Sequence, residues 1–316
     1  MSKKNRNHFD LVGVGLAAWD LLFRLSEPPR FDADLHITEF NQQGGGPTST
    51  GLAAASKLGA KTCLITRVGD DHYGDMIKEN LEEYGVMTIL QREEGSSSCV
   101  VVVFVNRETG ERTFLMGQKY SEPDIEWIPL EPIKNSEYLL VDSHLSKAGI
   151  HSAETARESK TKVIADVEAP GDDSERLIEL SDVVILPEKV ASVYVGDDLG
   201  KAALVLLDKG PEVVVVTRGV KGCVLAHDGR TIEKESYPVD VVDTTGAGDV
   251  FHGAFIAGLL KGYDYETATE FASGASAMNC KSLGGRSGIP TYEELVDFLL
   301  ERSPGWDERK AGEQNK

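Results

Sequence analysis

Four short apolar runs recur through the middle of the chain: 138–141 (YLLV), 162–166 (KVIAD), 183–186 (VVIL) and 213–217 (VVVVT). Stretches with helical patterning, such as 174–180 and 199–209, lie between them. A run of four or five largely apolar residues has no polar face to offer water, so each reads as a strand buried on both sides. Strands of that kind, joined through helices, form a mostly parallel sheet with helices packed on both faces. The runs 9–15 (FDLVGVG) and 62–68 (TCLITRV) fit the same sheet, and 48–58, 75–84, 249–260, 265–278 and 291–302 read as helices. The expected architecture is three-layer α/β, Rossmann-like in outline.

One segment breaks the alternation. Residues 100–105 are β-rich, 106–110 have turn composition and 111–115 resume a strand, which is a hairpin pattern. A β-rich insertion in an α/β domain predicts a small sheet lying over a site. The chain reads as one domain over 8–302, with a polar, disordered tail at 303–316.

The sharpest chemical signal is 241–254, VVDTTGAGDVFHGA. Gly246, Ala247 and Gly248 are small enough for a ligand to approach their backbone N–H groups. A helix is expected to start near Asp249, and a helix start favours an anion. A phosphoryl group in transfer is such an anion. Asp249 beside it would be placed to take the proton of an attacking alcohol, whose acidity rises as the new P–O bond forms. Helix capping alone would also explain an aspartate there.

Composition narrows the alternatives. Asp and Glu number 52 against 33 Lys and Arg, a net charge of −19, which argues against nucleic acid and anionic membrane surfaces as partners. No apolar stretch reaches the length of a membrane-spanning helix. The four cysteines, Cys63, Cys99, Cys223 and Cys280, are too widely spaced for a metal motif or a disulfide framework and read as reduced core thiols, with the cytoplasm as the expected setting. There is no P-loop motif, 13–15 (GVG) is too short for a dinucleotide fingerprint, and no histidine pair has metal-ligand spacing. His252 shares a helical face with Asp249, so pocket contact and packing both stay open for it. Arg107 and Arg112 flank the hairpin turn and read as solvated charges.

The stretch 241–254 resembles the C-terminal signature of the PfkB, or ribokinase-like, carbohydrate kinases. The turn Gly44, Gly45, Gly46 ahead of an alanine-rich helix and 58–60 (LGA) resembles the family's first signature. The segments 67–71 (RVGDD) with Gly74, 217–222 (TRGVKG) and 284–290 (GGRSGIP) resemble further family elements, in family order, over about 11–300. Joint occurrence in order is far more specific than any one piece, and capping does not predict it.

The resemblance implies a three-layer ribokinase-like fold with a small β-sheet lid formed by segments at about 17–43 and 92–120, ATP at the C-terminal edge of the main sheet and a sugar under the lid. It implies Asp249 as base and Gly246, Ala247 and Gly248 as the anion hole. It places Asp20, Gly45, Gly46, Thr50 and His144 at the sugar, and Thr217, Gly219, Gly222 and Asn279 at the nucleotide. Mg²⁺ is expected to accompany ATP with few direct protein ligands. A monovalent cation, K⁺, could be held near Asp243, Thr245, Ser282 and Gly284, although Gly288 stands where an oxygen-bearing Ser is common. A lid sheet whose outer face needs cover implies a homodimer through the lid.

Two departures stand out. Thr50 replaces a common Asn, and 187–190 (PEKV) lacks the family's Asn-x-x-Glu element, leaving Glu188 as a partial substitute. These departures, with 251–253 (FHG) and 274–290, are closest in motif to the sulfofructose kinase branch. Asp34 stands where that branch can place Lys, and a carboxylate would repel a sulfonate, which argues against sulfofructose as substrate. The rival readings are a nucleoside kinase on the same fold and a catalytically inactive sugar-binding or regulatory protein.

Overall fold

The computed structural model describes residues 8–32, 34–117, 121–303 and 306. Its strands are β1 (Phe9–Val14), β2 (Ala18–Leu25), β3 (Ile37–Gly45), β4 (Thr62–Gly69), β5 (Met87–Glu93), β6 (Val100–Asn106), β7 (Arg112–Met116), β8 (Ser136–Asp142), β9 (Lys162–Asp166), β10 (Val183–Pro187), β11 (Val213–Thr217), β12 (Cys223–His227) and β13 (Arg230–Lys234). Its helices are α1 (Pro47–Lys57), α2 (His72–Glu83), α3 (Leu130–Lys134), α4 (Ser146–Arg157), α5 (Asp172–Leu180), α6 (Glu188–Val195), α7 (Leu199–Leu207), α8 (Ala247–Leu260), α9 (Tyr265–Asn279) and α10 (Tyr292–Arg302).

Nine strands form the large sheet in the order β13-β12-β11-β10-β9-β8-β1-β4-β5. From β11 to β5 all neighbours are parallel, and β12 and β13 add an antiparallel edge. Successive side chains on a strand point to opposite faces. The apolar runs therefore fill two cores at once. Leu139, Val141, Val184, Leu186, Val214 and Val216 pack on one face with residues of α4, α5 and α7 such as Ala148, Leu177 and Ala202. Leu140, Ile164, Val183, Ile185, Val213 and Val215 pack on the other with Leu52, Phe255, Phe271 and Leu295 from α1, α8, α9 and α10. Each large apolar side chain so buried contributes about 1.5–3 kcal/mol of hydrophobic stabilisation.

The small sheet has the order β3-β2-β6-β7, and the expected β6–β7 hairpin pairs from Val101 opposite Met116 to Val105 opposite Arg112, one residue further along in its second strand than the expected 111–115. Asp20 lies within lid strand β2, inside the first expected lid segment. Two further details differ from the sequence reading. Helix α8 starts at Ala247, two residues before Asp249. Trp306, inside the stretch read as a disordered tail, is buried against Phe271 and Tyr263, because a large apolar ring gains more in the core than in solvent. The rest of 304–316, and 118–120 at the end of the second lid segment, lie outside the described residues. All four cysteines are buried and free.

Candidate active site

The parallel strands end along one edge of the sheet, where open α/β sheets gather ligand contacts. Asp142 and Asp166, the last residues of β8 and β9, are register partners there, and Pro187 pairs with Thr217 further along. Helix α8 points its start at this edge. Gly246 adopts φ +72°, and a Cβ on it would sit 2.5 Å from Gly285 O, so only glycine turns the chain here. Gly253 packs on α1 so closely that a Cβ would lie 2.0 Å from Gly51 O, which fixes the height of the helix start.

In the first turn of α8, Ala247 N donates to Thr244 O and Val250 N to Gly246 O. The N–H groups of Gly248 and Asp249 find no acceptor among the described residues. Gly246 caps the helix without a side-chain bond, so Asp249 is not a cap. A Cβ built at Gly248 meets nothing within 4 Å. Packing therefore does not require glycine there, while access to the free N–H groups does. Gly248→Val should leave the fold stable to within about 1 kcal/mol, the scale of helix-propensity differences. It should lower kcat/KM at least about tenfold, roughly 1.4 kcal/mol. Unchanged kinetics in a folded variant would place the transferring group elsewhere.

Asp249 is half-buried, and no described residue donates a hydrogen bond to its carboxyl group. Burial lifts that carboxyl to about 7; the Glu168 charge adds to the rise, and Arg112 opposes it. Carboxylate oxygens of Asp166, Glu168 and Asp249 all lie within 4.8 Å of one another. His144 Nε2 stands 3.4 Å from Glu168, and burial pulling its pKa down is outweighed by that bond and by the nearby Asp142 and Glu168 charges. His252 is buried, with Nδ1 2.7 Å from Gly248 O and Nε2 3.4 Å from Asp166. Burial lowers His252, while burial and the neighbouring Glu168, Asp249 and Asp142 charges raise Asp166. The ring is packed in the core while its nitrogens face the anion loop and the acidic cluster, so packing and site contact both apply to His252. Glu188 is turned to Lys221 at 3.5 Å and contributes no carboxylate to the cluster.

Asp20 is 6% exposed and accepts no hydrogen bond from a described side chain. Burial raises its carboxyl to about 7, eased by the Arg286 charge and increased by Asp243. A Cβ on Gly45 would fall 2.2 Å from that carboxylate, so Gly45 is what leaves Asp20 room. Gly46, at φ +90°, turns the chain into α1. Sequence reasoning missed Arg286. It is 1% exposed and donates to Gly45 O (3.0 Å), Ser49 Oγ (2.7 Å), Thr50 Oγ1 (3.1 Å) and Asn80 Oδ1 (2.9 Å). Thr50, itself 1% exposed, accepts from the arginine through Oγ1, and no described residue accepts its O–H proton. A basic residue flanked by Gly285 and Ser287 in a loop carries no sign of burial; its four acceptors come from distant segments.

Thr217, Gly219 and Gly222 flank the turn after β11, with Gly219 exposed and nothing within 4 Å of a Cβ there. Asn279 is 0% exposed and bonded wholly to protein atoms, which corrects the expectation that it touches nucleotide. Arg112 is a further correction. It does not merely face solvent: its Nη1 donates to Thr244 Oγ1 at 2.6 Å, and Thr244 Oγ1 donates to Gly110 O, so the lid hairpin rests on the anion loop. A separation of 132 residues hid that contact.

Residues 9–292 match the model of the pfkB family carbohydrate kinase. A ribokinase of Bacillus subtilis (strain 168) is 27% identical over 295 residues, covering 90% of this chain and 98% of the relative. An ATP-dependent ribose-1-phosphate kinase of Halopiger xanaduensis is 28% identical over 296 residues, covering 92% and 98%. The crystal structure of a ribokinase from Thermotoga maritima superposes with a TM-score of 0.78 at 26% identity, covering 92% of this chain and 99% of that one.

Proposed function

Since this chain belongs to the pfkB family of carbohydrate kinases, and so to the phosphotransferases with a hydroxyl acceptor, we propose that it moves the γ-phosphoryl group of ATP to a hydroxyl of a sugar or sugar derivative, with Asp249 as general base. The observation that carries this reading is the juxtaposition at the head of α8. A carboxyl lifted to about 7 and free of hydrogen bonds stands beside two N–H groups without acceptors among the described residues. Near neutral pH such a carboxyl is half ionised, which suits proton abstraction at working pH.

The sugar lies under the lid with hydroxyls on Asp20, and Gly45 and Gly46 shape the floor. His144 borders the acceptor side. The attacking hydroxyl gives its proton to the Asp249 carboxylate as its oxygen bonds to phosphorus. The leaving ADP departs in line, and the N–H groups of Gly248 and Asp249 receive the charge on the transferring oxygens. Thr217, Gly219 and Gly222 border the nucleotide. The oxygen donors of Asp166 and Glu168, within 4.8 Å of the Asp249 carboxyl, would suit a hard cation such as Mg²⁺, which when bound would neutralise phosphate charge. They offer carboxylates in place of the missing Asn-x-x-Glu element. Arg112 contributes a positive charge from the lid. On the face of the lid sheet turned away from the buried Val101, Val103 and Val105, Phe40 and Leu115 are exposed beside Phe23 and Phe104, an apolar face that a second copy would cover in a homodimer.

The relatives point to pentoses and pentose phosphates as the first acceptors to try. A panel of ribose, deoxyribose, ribose 1-phosphate, fructose, 5-dehydro-2-deoxygluconate and adenosine, with ADP release as readout, tests the reading. Turnover with a sugar supports it. Turnover with adenosine alone would make the chain a nucleoside kinase, and none with any acceptor would favour a binding or regulatory role.

A further inference from the structure

Two loops meet behind the anion hole, 243–247 leading into α8 and 283–288 following α9. Gly285 lies directly on Gly246, so the second loop sets where the first can sit. The contact brings two backbone carbonyls, Thr245 O and Gly285 O, to one buried place. Buried carbonyl oxygens need either N–H donors or a cation.

Here the donors are supplied by the chain. Asn279 is fully buried; its Nδ2 lies 3.3 Å from Thr245 O and 3.1 Å from Gly285 O, and its Oδ1 accepts from Gly288 N at 3.2 Å. A carboxamide has two N–H bonds, so it can serve both carbonyls at once. Asp243, also fully buried, is satisfied in the same way. Its Oδ1 accepts from Thr245 N and Thr245 Oγ1, at 2.8 and 2.7 Å, and its Oδ2 accepts from Gly284 N at 2.8 Å. The side-chain oxygens of Asp243 and Thr245, expected to hold K⁺, are thus already engaged with each other and with backbone N–H groups, and Gly288 offers no side-chain oxygen. The residues do not fit the ion.

We propose that the Asn279 carboxamide does the work of a monovalent cation, clamping the 283–288 loop to the anion loop so that phosphoryl transfer proceeds without K⁺. The proposal rests on the kinase reading above. Asn279 is a positioning residue: it touches no substrate and acts through Thr245 and Gly285 on Gly246 and the N–H groups that follow. An aspartate of the same shape would set a carboxylate against both carbonyl oxygens and undo the clamp.

The test compares the unaltered protein in KCl and in tetramethylammonium chloride at equal ionic strength, since the larger ion cannot enter a carbonyl cluster. Expected are kcat values within about twofold and melting temperatures within about 1 °C of each other, because an ion that does not bind does not stabilise. Asn279→Asp should lower kcat at least about tenfold with the sugar KM within about threefold, since an interaction that shapes only the transition-state site acts on kcat. Activation by K⁺ of about tenfold, or a melting temperature raised by several degrees, on the order of what a bound ion gives a domain of this size, would overturn the proposal. So would an Asn279→Asp protein with unaltered kcat. If that variant fails to fold, the salt comparison on the unaltered chain still decides. If no sugar is phosphorylated in either salt, the kinase reading has failed, while the melting comparison still tests the clamp.

Discussion

Asp249→Asn is expected to reduce kcat by about 10²–10⁴-fold, the usual contribution of a positioned general base. The amide keeps the size and the helix start but cannot accept the hydroxyl proton. ATP and sugar binding should persist, because the anion hole is made of backbone groups. A variant that retained more than about a tenth of the original kcat would remove Asp249 from the base role. The same residue sets a pH dependence. Its carboxyl is raised to about 7, and only the ionised form works, so activity is lost as pH falls. For a single ionisation, kcat/KM should level off above about pH 7 and drop about tenfold per unit below it. A rate flat down to about pH 5.5, well below the raised value, would mean that the base titrates elsewhere.

Asp20→Ala should act on the sugar and leave ATP alone. A carboxylate can accept two hydroxyl hydrogen bonds, and charged acceptors make the stronger ones. Each lost bond is worth about 1.5–3 kcal/mol. The sugar KM should therefore rise roughly ten- to a hundredfold or more, at about 1.4 kcal/mol per factor of ten. The variant should not be less stable at about pH 8. An acid whose folded pKa is raised contributes least to stability above that value, and Asp20, lifted to about 7 by burial, is charged there. If calorimetry showed ATP affinity falling while the sugar KM held, the two halves of the cleft would be assigned the wrong way round.

How far these assignments can be read from sequence depends on how local each signal is. The buried strands announce themselves because a residue run with no polar face has one structural solution. The anion loop is legible because its glycines, its helix start and Asp249 lie within the single stretch 243–249. Asp166 and Glu168 lie within 4.8 Å of that carboxyl, yet they come from the end of β9 and just beyond it, far back in the chain, and are brought there by the pairing of the sheet. Arg286 gives no sign of burial because arginine is usually exposed. Its acceptors on α1, α2 and the Gly45 turn are supplied by tertiary packing. Asp20 falls inside the expected lid segment, but its place within a strand held between β3 and β6 depends on pairing with residues about 20 and 80 positions further on. The edge strand β13 escapes a sequence reading because it is mostly exposed and shows no apolar run.

The most direct test of the central claim is phosphorus NMR of the protein with Mg-ATP and whichever panel acceptor it turns over. The account predicts a sugar phosphate ester appearing one for one with ADP from the unaltered chain, and neither product forming at a comparable rate with Asp249→Asn. ADP accompanied by inorganic phosphate in place of the ester, or ester formation undiminished in Asp249→Asn, would contradict it.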